Sequence, residues 1–140
     1  MRRFEDLRVW QEARLLCAAV DAACETLLQR RNYGLADQMR RAAISIASNI
    51  AEGFERHSPR SFRYFLLIAK GSSAELKCQI YLCVDRGYLN PSAASDIQQR
   101  ATAVSQMLWG LITYLDRRKT RIFESSSRGT RNEERGTDSS

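Results

Sequence analysis

In three long stretches of this chain the apolar residues alternate steps of four and three, and that spacing fits very few architectures. Val9, Ala13, Leu16, Val20, Ala23 and Leu27 keep it for three heptads. Phe62, Leu66, Ala69, Ser73, Leu76, Ile80 and Cys83 keep it again, as do Ile97, Ala101, Val104, Leu108, Leu111 and Leu115. Such steps place all members of a set on one side of an α-helix, whereas a half-buried strand needs a period of two. Met39, Ala42, Ile46, Ile50 and Gly53, again stepping by three or four, supply a fourth stripe. Only two prolines and seven glycines leave the chain little punctuation, which favours long helices over many short strands. Ser58-Pro59 and Asn90-Pro91 each pair an N-cap side chain with a proline at the first helical position, where its missing N–H costs nothing. Gly87 sits where a helix C-terminus wants a left-handed residue, and Gly34 interrupts the pattern earlier. The expected helices span about 6–30, 35–56, 59–86 and 91–118. Short connections between long helices force antiparallel neighbours, so residues 1–116 should form an all-α, antiparallel up-down four-helix bundle.

The second helix is unusual on its other faces. Gln38, Arg41, Ser45, Asn49 and Glu52 form a polar stripe beside the apolar one, and Ala42, Ala43, Ala47, Ser48 and Ala51 fill much of the remainder. A solvated helix face normally carries long Lys, Glu and Arg side chains. A face of small and amide groups instead suggests close packing, and the polar stripe is expected to form a hydrogen-bonded network between helices or subunits that fixes register. Asn49, whose amide donates and accepts, is the expected organiser. Arg40 and Arg41 point about 100° apart and cannot serve one target.

Specific motifs carry a resemblance. Phe4-Glu-Asp-Leu-Arg-Val-Trp10, Tyr33-Gly-Leu-Ala-Asp-Gln-Met-Arg-Arg-Ala-Ala43, Ser48-Asn-Ile-Ala-Glu-Gly53, Ile68-Ala-Lys-Gly-Ser-Ser-Ala-Glu-Leu76 and Asp85-Arg-Gly-Tyr-Leu89 cover residues 4–115 with gaps. Together they resemble the bacterial four-helix-bundle family first described from open reading frames in intervening sequences of large-subunit ribosomal RNA genes. The resemblance implies an up-down bundle assembling as a ring-like homopentamer. Related bundles, the accessory variability determinant proteins, serve the reverse transcriptases of diversity-generating retroelements and bind nucleic acid. One stretch departs from the pattern: Gln29-Arg-Arg-Asn32 stands where members often carry Phe-Pro before the second helix.

Composition narrows the function classes. No apolar run nears the roughly 20 residues of a membrane span, and the opening Met-Arg-Arg-Phe-Glu-Asp lacks a signal-peptide core, so a cytoplasmic protein with no membrane partner is expected. Cys17, Cys24, Cys78 and Cys83 lack the paired spacing of a zinc site and are expected to be buried thiols behaving as small hydrophobes. His57 is the only histidine, and it falls in the break before the third helix. With no Glu-x-x-His pair, no phosphate-cradling glycine loop and no nucleophile motif, neither catalysis nor a cofactor or metal is expected. Glu52 and Glu55 are three apart and resemble an acid pair, but pairing with arginine is the plainer reading.

Nucleic-acid binding has better material. The net charge is +6, and 19 of the 22 basic residues are arginine, whose planar fork suits phosphate. Arg63, Lys70 and Lys77 recur every seven residues, with Arg56 and Arg60 extending that side, a stripe about 20 Å long. It is expected to bind RNA or DNA through backbone phosphates, without sequence preference. Residues 117–140 form a basic, Ser-rich tail with only Ile122 and Phe123 as hydrophobes, and disorder is expected there. Arg117, Arg118, Lys119 and Arg121 make a second cationic cluster, which a ring of subunits would present repeatedly. The expected function is therefore a non-catalytic, oligomeric nucleic-acid-binding accessory protein, with a retroelement reverse transcriptase as candidate partner. The rival is a scaffolding oligomer whose cations serve subunit contacts and whose partner is another protein.

Overall fold

The computed structural model describes residues 3–136, with side chains placed through Arg118. A single 3-10 turn (Phe4–Asp6) precedes four helices: α1 (Arg8–Gln29), α2 (Tyr33–Glu55), α3 (Pro59–Asp85) and α4 (Pro91–Gly136), with no strand among the described residues. Helix starts follow the local chemistry. Ser58 Oγ accepts from the Ser61 N–H at 3.4 Å with Pro59 first in α3, and Asn90 Oδ1 accepts from the Ala93 N–H at 2.9 Å. The ends of the first three helices share one device. Arg31, His57 and Gly87 all have positive φ, at 57°, 52° and 72°. At the first and third ends the next residue's N–H bonds back five positions, Asn32 to the Leu27 carbonyl and Tyr88 to the Cys83 carbonyl, which satisfies carbonyls the helix leaves open. The first loop thus turns on a left-handed arginine, Arg31.

Side-chain pairs fix the topology. Cys24 meets Ala36 and Asp21 meets Arg40; Ser45 meets Ser72 and Met39 meets Cys83; Arg63, Lys70 and Lys77 meet Asp116, Ser105 and Gln98 in turn. Each set runs in opposite directions along its two helices, so all three pairs are antiparallel. Each helix touches its two neighbours around a square, and the diagonal pairs make no close approach. This is the expected up-down bundle.

The core is the expected one with small shifts. Leu16, Val20, Leu27, Met39, Ile46, Ile50, Leu66, Leu76, Ile80, Val104 and Leu108 are fully buried. In α1, Cys24 takes the place expected of Ala23, and in α4 Ile112 is buried where Leu111 is only partly covered. Cys24 Sγ donates to the Ala36 carbonyl at 3.6 Å and Cys83 Sγ lies 3.5 Å from Met39 Sδ, so two thiols sit in the core as expected. Cys17 is half-buried, and Cys78 is exposed, contrary to that expectation, because it stands opposite the inner face of α3.

The seams between helices differ. On the α2–α3 seam a Cβ built on Gly53 would stand 2.7 Å from Phe65 Cβ, so the absence of a side chain lets the two backbones approach. The α1–α4 seam is looser, with a furrow of about 830 Å³ lined by alanines 19, 22, 23, 93 and 103. The main chain of α4 continues as helix to Gly136, where the sequence pattern ended it near 118 and disorder was expected beyond. No proline interrupts that segment. The side chains of Lys119 and Arg121, and the whole of 137–140, lie outside the described residues.

Candidate nucleic-acid interface

The cationic stripe of α3 is not a free face. It lies on the edge turned toward α4, and two of its members are tied across the seam. Arg63 Nε donates to Asp116 Oδ1 at 2.6 Å, with both side chains nearly half exposed. Lys70 Nζ donates to Ser105 Oγ at 3.1 Å and lies 5.7 Å from the centre of the Trp109 ring. Lys77 is half-buried, and its carbonyl accepts from Gln98 Nε2 at 3.0 Å. Arg56 is also engaged, with Glu52 at 2.9 Å and the Phe65 ring at 5.2 Å. Arg60, Arg117 and Arg118 are exposed and have no ion pair among the described residues. The stripe therefore combines a tied middle with an open end, where α3 begins and α4 passes it.

Within one subunit the polar stripe of α2 divides in two. Ser45 Oγ and Ser72 Oγ share a hydrogen bond at 2.8 Å across the α2–α3 seam, and Asn49 Nδ2 donates to Ser45 Oγ at 3.0 Å and to the Ser45 carbonyl at 2.8 Å. Asn49 joins this cluster from within α2, and the link across the seam is Ser45 to the buried Ser72, which the sequence pattern did not single out. Gln38, Arg41 and Glu52 point outward instead. Arg41 pairs with Asp37 and Glu52 with Arg56, each one turn along α2, because their wheel positions lie beyond the edge that α3 covers. Glu55 stands 4.0 Å from His57 and Arg40 3.4 Å from Asp21 on α1.

A second feature of α3 was not anticipated. Tyr64, Ile68, Tyr81 and Leu82 are exposed along it, with Gly71 and Ala74 between them. Helix α3 is thus apolar on two sides: Tyr64, Ile68 and Leu82 share the outer one, and Tyr81 stands about 100° round from Leu82. On α2, Ile44 is 56% exposed beside Ser48. Burial raises the Cys17, Cys24 and Cys83 thiols above their ordinary value, that of Cys83 to about 11. No group of three or more His, Cys, Asp or Glu among the described residues is placed to hold a metal ion. No helix among them is long and apolar enough to cross a membrane.

Fold and surface together define an all-α four-helix bundle with an apolar core, whose α3–α4 seam carries Arg60, Arg63, Lys70, Trp109 and Arg118. The chain belongs to the 23S rRNA-intervening sequence protein family, whose model matches residues 5–110. Its fold is similar to that of a protein of unknown function from Bacteroides thetaiotaomicron, assigned to the S23 ribosomal protein family. That likeness has a TM-score of 0.71 at 20% identity, over 74% of this chain and 97% of the other. No curated protein matches the chain.

Proposed function

We propose that this chain is a non-catalytic, self-assembling accessory protein that binds nucleic acid through backbone phosphates, in the cytoplasm and without a cofactor. The observation that carries this reading is the open cationic end of the α3–α4 seam, where Arg60, Arg117 and Arg118 stand without ion-pair partners among the described residues. A family described from ribosomal RNA intervening sequences is consistent with a nucleic-acid partner. The sequence resemblance to retroelement accessory proteins makes a reverse transcriptase the candidate protein partner and a ring-like homopentamer the candidate assembly. The outer face of α3, with Ile68 and Leu82 on the side of Gly71 and Cys78, is the surface we assign to subunit contact.

The test is a salt titration of binding to RNA and DNA of unrelated sequences. Affinity should be similar across sequences and fall steeply with salt. Changing Arg60, Arg117 and Arg118 together to Gln should lower the log–log slope by up to about 2–3, at ~0.9 per phosphate on duplex DNA or ~0.7 on single strands. Scattering should leave the assembly unchanged, because exposed charges contribute little to stability. A scaffolding protein with a protein partner is the second reading, favoured by the ties of Arg63 and Lys70 to α4. It predicts no salt-dependent binding to either nucleic acid.

A further inference from the structure

At the open end of the seam lies a hollow of about 820 Å³, lined chiefly by Arg60, Arg63, Tyr64, Leu67, Leu115 and Arg118. Its size falls in the range of small-ligand sites, roughly 300–1,000 Å³. Its chemistry is mixed in a particular way. Leu67 and Leu115 supply apolar lining, and the Tyr64 ring is 60% exposed beside them. Three guanidinium groups stand on the wall against one carboxylate, Asp116, whose charge Arg63 meets at 2.6 Å. The balance left over is positive, from Arg60 and Arg118.

One step along the same seam stands Trp109, 52% exposed, level with Lys70. Tyr64 is six residues before Lys70 on α3, so the two aromatic groups are offset by about 9 Å along the bundle. Phosphates alone would need only the arginines. Exposed rings beside an apolar hollow add something that a duplex does not use, since its base faces are stacked inside the helix. A single strand offers both the phosphates and open base faces, and bases stack on aromatic side chains whatever their sequence.

We infer that this end of the α3–α4 seam is a single-strand nucleic-acid site, a proposal that rests on the nucleic-acid reading above. One base enters the hollow against Tyr64 and Leu67, its flanking phosphates meet Arg60 and Arg118, and a neighbouring base stacks on Trp109. Lys70, already over that ring, adds charge beside the stacked base.

The experiment uses the full chain carrying Trp10→Phe, which leaves Trp109 as the only indole. Trp10 itself packs on Phe4, with ring centres 5.1 Å apart, and carries Arg14, away from this seam. Fluorescence is followed at low salt with a 12-nucleotide oligouridylate, an oligothymidylate of the same length, and a 12-base-pair duplex. Both single strands should quench Trp109 and bind more tightly than the duplex. Trp109→Ala, followed by anisotropy of labelled strands, should weaken binding roughly 5- to 140-fold, the stacking increment of one base. Trp109→Phe should restore most of it, and circular dichroism should show all variants folded. Duplex binding as tight as single-strand binding, with Trp109→Ala indifferent, overturns the single-strand site and leaves nucleic-acid binding standing. Failure of all three probes to bind overturns both, and points to a protein occupant of the hollow.

Discussion

Replacing Gly53 with alanine adds one methyl group to α2 where α3 packs against it. The new carbon would stand 2.7 Å from Phe65 Cβ, 3.0 Å from Phe62 Cδ2 and 3.4 Å from the Phe62 carbonyl oxygen. Carbon atoms prefer separations of about 3.5–4.0 Å, so relief requires a shift near 1 Å. The Phe62 ring can rotate away, but Phe65 Cβ is fixed to its backbone and can move only if α3 moves. Overpacking of this kind costs about 1–3 kcal/mol, and a backbone-anchored clash belongs at the upper end. Alanine returns about 1 kcal/mol through helix propensity, which leaves a net loss near 2 kcal/mol. For a chain of this size that is a fall in Tm of roughly 6–8 °C. Gly110→Ala is the matched control, because its Cβ would meet nothing within 4 Å. It keeps the propensity gain, so Tm should rise by about 3–4 °C. Both are read by thermal circular dichroism at one fixed protein concentration, since association also moves Tm. A Gly53→Ala protein as stable as the parent, or two substitutions that move Tm in the same direction, refutes the close-approach argument.

The left-handed helix ends give a second pair of opposite effects: Gly87→Ala should cost about 1–2 kcal/mol, and Arg31→Gly should gain about 1 kcal/mol, in urea denaturation. Cys78, exposed on the outer face of α3, should react quickly with a thiol reagent in a dilute subunit and slowly in an assembly that covers that face. Equal rates at all concentrations would remove α3 from the subunit contact. Burial, with a smaller contribution from Cys24, holds the Cys83 thiol protonated up to about pH 11. The unfolded thiol loses its proton nearer pH 9, so the stabilisation is complete below that value and disappears as pH rises toward 11. Urea midpoints should fall across that window, and Cys83→Ala, weaker at neutral pH, should show a shallower alkaline decline.

The bundle was legible in the sequence because its signals are local. Ser58-Pro59 and Asn90-Pro91 fix two helix starts through bonds spanning three residues, and the four-and-three spacing identifies nearly the whole core. The first loop was less readable, since nothing in Arg31 announces a positive φ. The site was harder for a different reason. A helical wheel treats each helix alone, and correctly aligns Arg63, Lys70 and Lys77, but their environment depends on Asp116, Ser105 and Trp109 from 35–53 residues away. The outer stripe of α3 had a signal, the spacing of Tyr64, Ile68 and Leu82. Once the inner stripe accounted for the helix, a second period on its far side went unread. Arg41 and Glu52 fall outside the Ser45–Ser72 cluster because neighbouring polar positions of a wheel can lie on opposite sides of a contact boundary.

The unequal seams also make the bundle mechanically uneven. Where Gly53 lets α2 and α3 interlock through Phe62 and Phe65, neither helix can slide by a residue without driving a ring into main chain. The alanine-lined furrow between α1 and α4 has no such bolt. Thermal breathing should therefore concentrate as a hinge-like opening of that furrow, with α2 and α3 moving as one stiff plate. The α3–α4 seam straddles the two regimes: Arg63 is mounted on the stiff plate, whereas Trp109 rides on α4, the helix that borders the compliant furrow.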